Sequence, residues 1–170
     1  MKRRNPRTVE EFMAHAWAME AEAAERYEEL AEQMLAHHNR DVAALFAKLS
    51  RIEALHRDQI AGKMGWSSPP ASAAFSWETP EGLETTDYGD LHYLMQPHHA
   101  LTLALHNEER AARFFEQLAA SRVPDDVSAA AAEMAADERE HVRLVSEWLA
   151  RYPGPEPGWD EDPDPPAVPD

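Results

Sequence analysis

Two stretches of this chain carry the same arrangement of acid and imidazole side chains. In the first, Glu20 is followed seven residues on by Tyr27, and later by Glu53 and His56, a Glu-x-x-His. In the second, Glu108 is followed seven residues on by Phe115, and later by Glu138 and His141, again a Glu-x-x-His. One Glu from each of two helices, with a Glu-x-x-His from each of two others, is the ligand set of a carboxylate-bridged dinuclear metal site inside a four-helix bundle. The chain supplies that set once.

Phase gives the pattern its weight. Residues three apart on a helix are neighbours, so Glu53 can reach the same ion as His56, and Glu138 the same ion as His141. Each acid also sits within an apolar stripe. Leu49, Ile52 and Ile60 flank Glu53, while Met134 and Val145 flank Glu138. Met19, Ala23 and Tyr27 bracket Glu20, and Leu101, Ala104, Ala111 and Phe115 bracket Glu108.

One such Glu alone reads as an exposed helix residue. All four together put ionised carboxylates into an apolar interior, where each is costly without a partner. Arg26, Arg57, Arg110 and Arg139 fall at flanking angles, so no base shares those stripes. Two divalent cations, with two neutral imidazoles, balance the charge. Oxygen and imidazole donors without sulfur suit iron, manganese or zinc. In this arrangement Glu20 and Glu108 are terminal ligands, Glu53 and Glu138 bridge, and His56 and His141 take one ion each. Tyr27 is either a core aromatic or a hydroxyl that bonds one of the carboxylates, and Asp137 is a candidate to orient an imidazole. His15, His37, His38, His92, His98, His99 and His106 are out of phase with the acids and read as surface or helix-end residues. Beside Pro97, the pair His98–His99 offers an adventitious ion at most.

Four helices must position these groups. The first opens at a capping box, Thr8 with Glu11, and runs to about His37 or His38, burying Phe12, Met19, Ala23, Tyr27, Leu30 and Met34. A turn at Asn39-Arg40 makes the second helix, from about Asp41 to Lys63, its antiparallel neighbour. Residues 65–89 hold Gly65, Pro69, Pro70, Pro80, Gly82 and Gly89, a connection long enough to cross the bundle from end to end. A lead-in at Asp90–Gln96 breaks at Pro97, where the third helix begins, ending near Ser121. The fourth starts at Pro124 or Asp125 and ends before Pro153, with Val127, Ala131, Met134, Val145, Trp148 and Leu149 as its stripe. Beyond it, residues 153–170 carry seven prolines and no apolar period, and read as a disordered tail. The expected organisation is one all-α bundle over residues 1–152, two antiparallel helix pairs joined by a long crossover, with that tail following.

At 170 residues the chain is long enough for one domain with a real core. It has no cysteine, which excludes disulfides, thiolate zinc sites and iron–sulfur clusters and fits a reducing compartment. No apolar run follows the basic start, so neither signal peptide nor membrane span is expected and a soluble cytoplasmic protein is the default. A formal charge of −16 argues against nucleic acid or anionic membrane as partner. Six of those negatives lie in the tail, from Glu156 to Asp170.

On Glu20 to Tyr27, Glu53-Ala-Leu-His56, Glu108 through Phe114-Phe115 and Asp137 to His141, the chain resembles the rubrerythrin branch of the ferritin-like di-iron carboxylate proteins, from roughly Val9 to Tyr152. The resemblance implies a ferritin-like four-helix bundle holding two iron ions, with manganese or zinc as alternatives. It implies an oxidoreductase that reduces peroxide or dioxygen with electrons from a separate donor. The alternative is an iron-binding, ferroxidase or iron-buffering module without substrate turnover, and a third reading keeps the metals purely structural. A homodimer is expected, with Phe114 and Trp17 as interface candidates. Two departures stand out. The family's appended rubredoxin-like domain, with its four cysteines, has no counterpart here, and its second Glu on the third helix is replaced by Ala111.

Overall fold

Each helix begins and ends where local chemistry dictates. The computed structural model describes residues 4–68 and 96–154, and within them four α-helices and no strand. Helix α1 spans Val9–Ala36, α2 Arg40–Met64, α3 Pro97–Ala119 and α4 Asp125–Leu149. Thr8 caps α1, its hydroxyl accepting from the Glu11 N–H at 3.2 Å. The reciprocal half of the expected capping box is shifted by one residue. The Glu11 carboxylate accepts from the Arg7 N–H at 2.7 Å and from the Arg4 guanidinium at 3.1 Å, because that cation draws it outward.

The end of α1 differs from the expectation too. Its last helical residue is Ala36, and the histidines that follow act through their backbone. The Asn39 N–H reaches the Met34 carbonyl at 2.8 Å, which requires His38 to turn left-handed at φ 62°. This is a Schellman closure with histidine where glycine is usual. Helix α2 closes on Gly65 at φ 71°, where a residue without Cβ costs nothing. Pro97 opens α3 at its first turn, where its missing N–H is harmless, as expected. Asp125 and Asp126 in the first turn of α4 complement its dipole, and the Ser128 hydroxyl donates to the Ala119 carbonyl at 2.6 Å, tying α4 to the end of α3.

The three residues between α1 and α2 and the five between α3 and α4 make two antiparallel hairpins, and the four helices form a four-helix bundle. Backbones lie close within each hairpin, while between hairpins α1 comes nearest to α4. The expected crossover and the acidic tail fall outside the described residues. Among the described residues, no helix is long and apolar enough to cross a membrane.

The core is in two parts. One joins Tyr27, Leu30, Met34, Leu45, Phe46, Leu49, Leu101 and Val145. The other joins Phe12, Ala16, Ile60, Phe115, Leu118, Val127 and Ala131, with Phe12 and Phe115 packed edge to face at 6.1 Å. Between them lies a layer of buried acids.

Candidate metal centre

Glu20, Glu53, Glu108, Glu138 and His141 are all buried, and Glu53 is 1 % exposed. Buried apolar residues one turn away on the same face turn each inward: Ala16 and Ala24 for Glu20, Leu49 for Glu53, Ala104 and Ala112 for Glu108, Ala135 for Glu138 and Val145 for His141. His56 joins them half-buried. All six residues singled out by spacing are thus brought to one level of the bundle.

They form two overlapping groups. Glu53, Glu108, Glu138 and His141 offer atoms within 4.8 Å of one another, as do Glu20, Glu53 and His56. Of the two acids expected to bridge, Glu53 belongs to both groups and Glu138 to one. His141 Nδ1 lies 3.1 Å from Glu53 Oε1, 3.5 Å from Glu108 Oε2 and 3.5 Å from Glu138 Oε2. His56 Nδ1 lies 3.7 Å from Glu53 Oε2 and 3.9 Å from Glu20 Oε2. The two imidazoles are nearly parallel, 9° apart, with ring centres at 5.7 Å.

The donor atoms fit divalent cations. Adjacent ligands at about 2.1 Å from an ion, in tetrahedral or octahedral geometry, stand about 3.0–3.4 Å apart. The neighbours of His141 match this closely, and those of His56 are slightly wider. Moreover, His141 Nδ1 and the Oε2 atoms of Glu20, Glu53 and Glu138 are buried without a well-formed hydrogen bond. Ionised carboxylates facing one another cannot satisfy one another. A cation can.

Without one, protons must share the layer. Burial, then the Glu53 carboxylate beside it, drives the Glu20 carboxyl well above the usual range. Burial and the charge of Glu108 do the same to Glu138. For Glu53 the penalty of burial is outweighed by the close approach of Glu20, His141 and His56, which hold it ionised well below the usual range. For His141, too, burial is outweighed, here by Glu108, Glu138 and Glu53, and its pKa rises far above that of a free imidazole.

Tyr27 fills both of its expected roles, its hydroxyl donating to Glu108 Oε1 while its ring lies in the core, stacked on Phe46 at 5.8 Å. Asp137 is exposed on α4, so it does not orient the buried imidazole. Arg139 pairs outside the layer, in a bidentate bridge to Glu116 at 2.7 and 2.8 Å.

Among the remaining histidines, His37, His38 and His106 are exposed, as expected. His98 instead binds the Tyr152 carbonyl through Nδ1 at 2.8 Å, joining α3 to the end of α4. His15 corrects the expectation of a surface position. It is buried in the second half of the core, its ring 5.6 Å from Phe114, and burial lowers its pKa to about 4. His92 lies outside the described residues.

Fold and site together define a four-helix bundle with a buried Glu/His cluster able to hold metal. The crystal structure of an uncharacterized conserved protein from Magnetospirillum magnetotacticum MS-1 shares 40% sequence identity with this chain, covering 88% of it and 98% of that protein, at a TM-score of 0.71. The chain belongs to the same family as that protein. No family model and no curated protein matches it.

Proposed function

We propose that the protein is a dinuclear metal protein of the rubrerythrin branch of the ferritin-like di-iron proteins, an oxidoreductase that reduces peroxide or dioxygen with electrons from a separate donor. The overlap of two ligand groups at Glu53 carries this reading. Bound iron would supply the electron transfer to the oxidant. The chain's own residues do the rest. Glu20, Glu53 and His56 would hold one ion, and Glu53, Glu108, Glu138 and His141 the other. The Tyr27 hydroxyl donates to Glu108 Oε1 and so fixes the direction of that carboxylate. The apolar clusters on either side lower the local dielectric and so strengthen every charge interaction inside the layer.

In this reading the electrons come from a separate donor, and the 170 residues hold no cysteine for a thiolate iron site of their own. A reducing cytoplasm and pairing of two copies through the surface around Phe114 and Trp17 complete the reading. The second reading, an iron-binding or ferroxidase module without substrate turnover, is favoured by Ala111, which leaves the third helix without the extra acid that the resemblance leads one to expect.

Elemental analysis of protein purified without chelator tests the site, and two ions per chain are expected. Repeated cycles of peroxide oxidation and re-reduction of the ferrous protein are expected for the oxidoreductase. Retention of many irons per chain supports iron handling instead. Zinc held tightly, with no response to peroxide or dioxygen, overturns both.

A further inference from the structure

Beside the acid layer lies a cavity of about 30 Å³, bounded by α1 and α3. Its inner wall is Glu53, Glu108, Glu138 and the Tyr27 ring, and its sides are small, from Ala23, Ala104 and Ala111. Arg26, Glu22 and Asn107, with the larger apolar side chains of Met19 and Leu30, complete its lining. Arg26 is its one lining cation, a side chain 14% exposed whose guanidinium stands 3.5 Å from Glu22. The two imidazoles come from the other helices, α2 and α4, so this is a face of the layer that they leave uncovered. A water-sized centre needs roughly 10–15 Å³, so the space admits about two such centres.

We infer that this cavity is the port to the metal layer, sized for a molecule of two or three heavy atoms, neutral or singly negative, and that Arg26 is the residue selecting for the anion. This rests on the proposed dinuclear site and specifies what reaches it. Three alanines keep part of the lining short, so a longer side chain at Ala23 or Ala111, both half-buried, would occupy the space. The guanidinium offsets the acids that otherwise repel an approaching anion.

Azide, a three-atom anion, is the probe. The iron-loaded, oxidised protein is titrated with it, following the visible absorption change, alongside a count of ions per chain. Wild type is expected to bind azide saturably. Ala111→Leu and Ala23→Leu are expected to keep both ions and to bind azide at least tenfold more weakly. Arg26→Gln is expected to weaken azide severalfold, yet leave binding of neutral nitric oxide to the ferrous protein unchanged. Two ions retained with undiminished azide affinity in either leucine variant overturns the port. An equal loss of azide and nitric oxide binding in Arg26→Gln overturns the selective role of the guanidinium. Wild type without two ions per chain instead overturns the dinuclear site itself. Should one leucine variant fail to fold, the other carries the test.

Discussion

At the scale of the residue, Glu53 and Glu20 are both buried acids with different expected consequences. Glu53 serves both ligand groups, so Glu53→Ala should take metal content from about two ions per chain to near none. Glu20 serves one group, and burial raises its carboxyl pKa, disfavouring the charged form that glutamine removes while keeping the shape. Glu20→Gln should lose one ion and leave the melting temperature of the metal-free protein little changed. Elemental analysis with thermal melts of chelated samples checks both. His15 makes a different prediction. The unfolded imidazole takes a proton near pH 6.5, the folded one only near pH 4. The unfolded state therefore binds more protons across that window, and His15 costs stability as pH falls through it. The stability of His15→Leu relative to wild type should rise by on the order of 2–3 kcal/mol from pH 7 to pH 4, read from urea melts. The six acid and imidazole positions were legible because their spacing matches a helix turn and apolar neighbours mark the inward face. His15 was not, because Phe12 through Ala16 are buried in succession. A helix end enclosed on every side leaves no periodic stripe to read.

At the scale of the element, helix ends were legible to within a few residues wherever Thr8, Pro97 or Gly65 punctuates them. The close of α1 was harder, since nothing in His37-His38-Asn39 announces a left-handed residue. His38 adopts φ 62° because the closure onto the Met34 carbonyl demands it, and its Cβ pays a steric penalty there. His38→Gly should therefore stabilise the protein by about 0.5–1 kcal/mol despite glycine's greater freedom when unfolded, a shift visible in the denaturation midpoint. An unchanged or lower midpoint would show that the imidazole contributes something its exposed position does not suggest. Tyr27 shows the complementary limit. Its place in the apolar stripe was plain, but its bond to Glu108 depends on how α1 lies against α3, which no single helix encodes.

At the scale of the whole molecule, the hairpin partners were legible from short turns, while the way one hairpin seats on the other was not. Backbone proximity between them is sparse, and much of what joins them is side chain. The group containing His141 draws one ligand from the first hairpin and three from the second, whereas Glu20, Glu53 and His56 all belong to the first. An ion in the mixed group is thus a clasp, and an ion in the other is not. Two separately expressed halves, cut between residues 69 and 95, should therefore associate through the shared apolar core and do so more tightly when iron, manganese or zinc is supplied than with a chelator, as size-exclusion chromatography at falling concentration would report. His141→Ala should remove most of that metal-dependent gain, while His56→Ala should keep it. Metal is thus mortar between the two hairpins, added to a wall that the apolar side chains already keep standing.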